Sequence, residues 1–170
     1  MFEKGAMIIY GSNGVCRVEE VSEMDLTGSG NSKLYYTLSQ IGRAGGRIYT
    51  PTDNEKVVMR PVMSRDEALS LIDEIEELDV LTIISEKTRE AEYKEAIHKC
   101  DPHEYVRVLK TIHVRMLERI AEGKKVTALD EKYYALAEKN LVSELAVALG
   151  MEQNDARTCV VTRVGGLLEA

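Results

Sequence analysis

Residues 57–67, Val57-Val58-Met59-Arg60-Pro61-Val62-Met63-Ser64-Arg65-Asp66-Glu67, divide the chain in two. Val57 to Met59 is the last of a series of short β-branched and aromatic runs. Ser64-Arg65-Asp66-Glu67 has the form of a capping box, in which the Ser64 hydroxyl accepts from the Glu67 amide while the Glu67 carboxylate reaches back to the Ser64 amide. The pattern changes near Pro61, between them. The apolar period therefore changes from 2 to 3.6 at this point. The pattern predicts a β domain over 1–62 and a helical domain over 63–170, with no strand between 66 and 150.

Working upstream, strands are expected at Met7 to Tyr10, Val15 to Glu19, Leu34 to Ile41, Gly46 to Thr50 and Val57 to Met59. Gly11-Ser12-Asn13-Gly14, Thr27-Gly28-Ser29-Gly30-Asn31 and Gly42-Arg43-Ala44-Gly45-Gly46 separate them with residues that tolerate positive φ. Three such turns imply a meander of four or five strands, and one this small buries its core best as a partly open barrel. Cys16 and Val18 fall on one face, with Val15, Arg17 and Glu19 on the other. No helix carrying Lys-Ser or Lys-Thr follows the glycines, so they read as turns and not as a phosphate cradle. Pro51 belongs at a strand end or on an edge. Arg47-Ile48-Tyr49-Thr50 is then either a strand that simply stops, or an exposed edge that accepts a strand from another protein.

Working downstream, about five helices are expected. The first runs from Ser64 to about Leu78, with Leu71, Ile72, Ile75 and Leu78 on one face. The second covers 86–99, led by Glu86-Lys87-Thr88. Asp101-Pro102-His103-Glu104 starts the third, with Asp at the cap and Pro at the first helical position. Leu109, Met116 and Ile120 centre its apolar face, His113 lies on that face's border, and Gly123 closes it. Thr127 begins a fourth helix that reaches Gly150. A last one spans about Glu152 to Leu168, with Val160, Val161, Val164 and Leu167 apolar. The fold class is α+β in two domains, a small β-barrel followed by an all-α bundle.

Composition narrows the function. The 170 residues carry a net charge of −7, and hydrophobic residues make up 44%. No apolar run approaches the roughly 20 residues of a membrane span, and Met1-Phe2-Glu3-Lys4-Gly5 lacks a signal peptide's apolar core. A cytoplasmic protein is expected. Cys16, Cys100 and Cys159 form no disulfide framework or zinc ribbon. His98-Lys99-Cys100-Asp101-Pro102-His103 matches no standard metal-site spacing. With no nucleophile or carboxylate pairing near the three histidines, no enzyme, cofactor, metal or small-molecule substrate is expected. Residues 63–86 hold one basic group against eight acidic, whereas 87–125 hold ten basic against seven acidic. That local reversal is modest for a DNA binder. Arg107, Lys110, Arg115 and Arg119 on the third helix, taken with Lys87, Arg89, Lys94 and Lys99, could reach phosphates in one broad contact, and Arg89, Lys94, Lys110 and Arg115 are the candidates carried forward.

The order of parts is familiar. Phe2-x-x-Gly5-x-x-Ile8-Ile9-Tyr10-x-x-x-Gly14-x-x-x-Val18-Glu19, then Tyr36-Thr37-Leu38 and Tyr49-Thr50-Pro51 with Asn54, resemble the CarD/CdnL family of bacterial transcription regulators, whose N-terminal domain is shared with the transcription-repair coupling factor. Tyr93-Lys94, Val106 to Leu117, and Leu129-x-Glu131-Lys132-x-x-x-x-Ala137-x-x-x-Leu141-Val142-x-Glu144-Leu145-Ala146 extend the resemblance over nearly the whole chain. It implies a Tudor-like N-terminal domain that pairs with the RNA polymerase β subunit through a sheet edge at Tyr49 and Pro51, with Leu38 nearby. It also implies a helical domain that contacts upstream promoter DNA and stabilises the open complex, with Lys110 and Arg115 where the family carries basic groups. A tethered contact of this kind needs little affinity of its own, because polymerase supplies the local concentration. The chain departs from the family in one respect. Where many members place an exposed Trp before Arg-Arg-Tyr, this chain reads Arg89-Glu90-Ala91-Glu92-Tyr93 and has no Trp. A second reading stands beside the first: an adapter whose helical domain binds another protein through its acidic first helix.

Overall fold

Ser64 caps its helix as its sequence context requires. Its hydroxyl accepts from the Glu67 amide at 3.1 Å, and the Glu67 carboxylate accepts from the Ser64 amide at 2.7 Å. In the computed structural model, which describes residues 1–166, the chain forms two units, Met1–Val62 and a second that begins at Met63. Each unit has its own apolar core. Among the described residues no helix is long and apolar enough to cross a membrane.

The first unit is one antiparallel sheet of β1 (Met7–Tyr10), β2 (Val15–Met24), β3 (Lys33–Gln40), β4 (Ile48–Pro51) and β5 (Met59–Pro61), ordered β4-β3-β2-β1-β5. β4 and β5 are its edges. β2 runs five residues past the expected end at Glu19, because its register shifts between Val18 and Glu20. Such a bulge interrupts side-chain alternation and bends the strand without ending it. That is why the sequence pattern stops where the strand does not. Ile8, Tyr10, Cys16, Val18, Tyr36 and Leu38 form the core. The Phe2 ring lies 5.8 Å from that of Tyr36, and the Phe2 amide donates to the Tyr36 hydroxyl at 2.9 Å. Burial pushes the Cys16 thiol up to about 11.

The second unit contains α1 (Arg65–Glu74), α2 (Arg89–His98), α3 (Pro102–Ala121), α4 (Ala128–Leu149) and α5 (Gln153–Gly166). Asp101 caps α3 by accepting from the His103 amide at 2.9 Å, and Thr127 caps α4 by accepting from Asp130 at 3.2 Å. Gly150 ends α4 in the left-handed region that glycine adopts freely. The core joins Leu71 and Ile75 to Tyr93, Leu109, Ile112, Leu141, Leu145, Val160 and Val164. The buried Glu144 carboxylate accepts from the Met63 amide at 2.9 Å, fixing the entry to α1.

Two helix expectations change. α1 stops at Glu74, not Leu78: Glu74, Glu76, Glu77 and Asp79 crowd its C-terminal end, where the helix dipole disfavours acids. The freed carbonyls of Ile75, Glu76 and Leu78 all accept from the Lys110 ammonium, at 2.9 and 3.2 Å for the first two. On α3, Leu109 is fully buried and Met116 packs on the core, but Ile120 is 60% exposed. The apolar stripe outlasts the stretch of helix that anything covers. Val161 is likewise exposed, and Leu167 lies outside the described residues.

Gly11 sits at φ 47° in the turn after β1, where an added Cβ would lie 2.7 Å from Val57 Cγ1. Gly11→Ala is expected to destabilise the β unit by about 1–3 kcal/mol, combining left-handed strain with the clash. Urea unfolding followed by tyrosine fluorescence measures the loss. Val57→Ala should cost less in the Gly11→Ala background than alone, since it removes the clash and not the strain.

Candidate functional site

β4 has a strand neighbour on one side only, so the main-chain groups on its far side are open to pairing. Tyr49 on this strand is 50% exposed. It continues a cross-strand row, Glu20 opposite Thr37 and Thr37 opposite Tyr49, beside a shallow depression also lined by Lys4, Met24 and Arg47. Hydrogen bonds tie down the end of this edge. Buried Thr50 accepts from the Asn54 side chain at 3.0 Å, the Asn54 side-chain oxygen accepts from Lys56 at 2.9 Å, and Thr52 donates back to Leu34 at 3.0 Å. Pro51, opposite Tyr35, ends the strand. Leu38 differs from its two companions. It is fully buried, opposite Ile48 and Val18, and supports the edge from within the core.

The candidate phosphate contacts of the helical unit do not share one free cationic surface. Arg89 is 7% exposed, and its Nη1 donates to Asp130 Oδ1 at 2.5 Å. Asp130 has no exposed surface. It also accepts from the Tyr93 hydroxyl at 3.0 Å, and its second oxygen lies 3.5 Å from Arg115 Nε. Arg115 in turn holds the Glu86 carboxylate with both Nη atoms, at 3.0 and 3.2 Å, while Glu86 Oε2 stands 3.4 Å from Arg89 Nε. The Arg115 hydrogen bond keeps the Glu86 carboxyl below its usual range. Burial, followed by the Asp130 charge, pushes the Tyr93 phenol up to about 12. Lys110 is spent on the end of α1, and burial lowers its ammonium. Lys94 is exposed and pairs with Glu90 at 3.5 Å, while Glu90 accepts from Tyr133 at 3.0 Å. Of the four, Lys94 alone is exposed: Arg89 and Arg115 neutralise a buried acid, and Lys110 caps a helix.

Sequence reasoning missed Asp130 and Glu86. Asp130 reads as an ordinary first-turn acid of α4 and Glu86 as one of many surface carboxylates. Only the packing of α2 and α3 brings arginines to both. The His98 to His103 segment serves the fold: His103 lies 3.1 Å from Asp101 and 3.0 Å from Glu74 through its two ring nitrogens. Among the described residues no group of three or more His, Cys, Asp or Glu side chains is arranged to hold a metal.

A model of the CarD-like/TRCF RID domain matches residues 2–63, and a model of the CarD C-terminal domain matches residues 72–161. The chain belongs to the CarD family. CarD-family proteins are RNA-polymerase-interacting transcription regulators and not enzymes. The β4 edge of this CarD-family chain therefore lies in a polymerase-interaction domain. Among curated proteins none matches the chain significantly.

Two outcomes follow from this CarD C-terminal unit. Asp130→Ala leaves two arginines without their buried counter-charge and should cost about 3–5 kcal/mol in thermal or urea unfolding. Replacing Arg89 and Asp130 together by Met and Leu should cost less than either single change. For His103, burial opposes protonation, but the Asp101 and Glu74 contacts prevail and raise the imidazole above its ordinary value of 6.5. A raised folded value means that the contribution is complete below about 6.5 and is lost as pH rises through the folded value. His103→Gln should flatten the fall in stability above that pH.

Proposed function

We propose that this chain binds the β subunit of bacterial RNA polymerase by strand pairing at the β4 edge, and that its helical unit then contacts upstream promoter DNA and stabilises the open complex. The observation that carries the first part is the edge itself: a strand ending at Pro51, with one side unpaired and a half-exposed tyrosine at its centre. Main-chain bonds along such an edge supply affinity, and alternate side chains supply specificity. Tyr49 has the aromatic, amphipathic character of an interfacial hot spot. Leu38 contributes by holding the strand from beneath.

The DNA part rests on cations and not on net charge, which is −7. Lys94 is exposed on α2, where it pairs with Glu90, and Lys87 and Lys125 are exposed without a carboxylate partner among the described residues. So small a set holds duplex DNA weakly at physiological ionic strength, since each phosphate contact loses affinity with salt. Beside polymerase the local DNA concentration removes that handicap. One observation favours a second reading, in which the helical unit binds a protein: the acids of 63–86 form a strongly negative stretch, and Asp66, Glu67, Glu76 and Glu77 are exposed.

Tyr49→Glu should weaken co-purification with polymerase, and with an isolated β-subunit fragment, by about 2 kcal/mol or more, with an unchanged circular-dichroism spectrum. Retention by polymerase equal to that of the parent would overturn the edge proposal. In an open-complex decay assay the parent protein should lengthen the lifetime and Tyr49→Glu should not. An unchanged lifetime with polymerase binding intact would favour the adapter.

A further inference from the structure

Glu86 occupies an unusual position for a surface acid. Its side chain is 71% exposed, yet it is held by two guanidinium groups that are mostly buried, Arg89 at 8% and Arg115 at 20% side-chain exposure. Arg115 grips it with both prongs, the geometry by which arginine grips a phosphate. Beneath it, Arg89 Nε is buried without a hydrogen-bond partner; Glu86 Oε2, at 3.4 Å, is near enough for charge attraction but does not bond it. One further feature favours an anion there. Arg89 is the first residue of α2, a ten-residue helix whose N-cap, Thr88, makes no side-chain capping bond.

We infer that Arg89 and Arg115 form a phosphate-binding site that the Glu86 carboxylate fills in the free protein. The carboxylate is the stand-in for a phosphate oxyanion. With Glu86 seated, the two arginines are balanced by Glu86 and Asp130. With Glu86 displaced, the site carries one net positive charge and offers the Arg115 fork and the Arg89 Nε to an incoming oxyanion. A tethered carboxylate competes at an effective concentration of the order of millimolar. Dilute DNA therefore cannot remove it, whereas DNA held beside the protein at a similar effective concentration can. The site deepens the DNA-contacting reading and rests on that reading only for the source of the phosphate.

The test compares the full-length parent chain with Glu86→Gln, which keeps the size of an exposed side chain and removes its charge. Titrations with inorganic phosphate and with a short duplex DNA are followed through the Arg89 and Arg115 Nε–H resonances and by fluorescence anisotropy of the labelled duplex. Glu86→Gln should move both resonances at lower ligand concentration than the parent, and its log affinity for duplex should fall more steeply with log salt, by about 0.9 for one added phosphate. Arg115→Lys in the Glu86→Gln background, which keeps the charge but loses the fork, should remove most of the gain. A gain with both ligands assigns the site to a nucleic-acid backbone. A gain with inorganic phosphate alone supports the site and assigns it to free phosphate, which counts against the DNA reading. If Glu86→Gln equals the parent with both ligands while Tyr49-dependent polymerase binding is intact, the inference is overturned and the proposed function is not.

Discussion

Asp130 has no surface open to water, and a carboxylate in that position persists only where cations and donors surround it. Arg89 arrives from the start of α2, Tyr93 from the next turn, Arg115 from the middle of α3, and the acid itself from the first turn of α4. One side chain thus fixes the mutual register of three helices. Apolar packing alone would tolerate sliding among them, because Leu, Ile and Val contacts are nearly interchangeable along a ridge. A buried ion pair is not, because sliding would leave the Asp130 charge without its partners. The Tyr93 and Tyr133 rings, 5.5 Å apart, extend the same locked region, and Tyr133 reaches Glu90 on the α2 surface.

The backbone plan of both units is legible in the chain because its signals are local. Ser64, Asp101 and Thr127 cap helices through side chains that reach only two or three residues forward, and Pro51 ends a strand by lacking one proton. The errors arise where a distant residue decides the outcome. α1 is short because Lys110 offers its carbonyls an alternative to another helical turn, and β2 is long because a bulge hides its continuation. The candidate site is only half legible for the same reason. Tyr49 can be assigned to an edge from its own neighbours, but whether an arginine faces solvent or an acid depends on a helix forty residues away. Arg89 and Asp130 carry no mark in the sequence of having found each other.

The two units answer the demands of a CarD-family regulator in different ways. The sheet offers a preformed edge whose conformation is already fixed by Asn54 and Thr50, so little ordering remains to be done on binding. The helical unit keeps Arg89, Lys110 and Arg115 engaged internally. Under the proposed function both properties help: readiness toward the protein partner and few free cations for DNA met away from polymerase.

The cysteines give this division a practical use. Cys16 is sealed in the sheet core, Cys100 is buried just after the end of α2, and Cys159 is half-open on α5. A maleimide applied to the native chain should therefore mark α5 first and leave the other two thiols untouched. Once Cys159 is blocked, the remaining thiols become clocks, one in each unit. The rate at which Cys16 is trapped reports opening of the sheet and the rate at Cys100 reports opening of the helices, so the independence of the two units can be timed on the unaltered sequence.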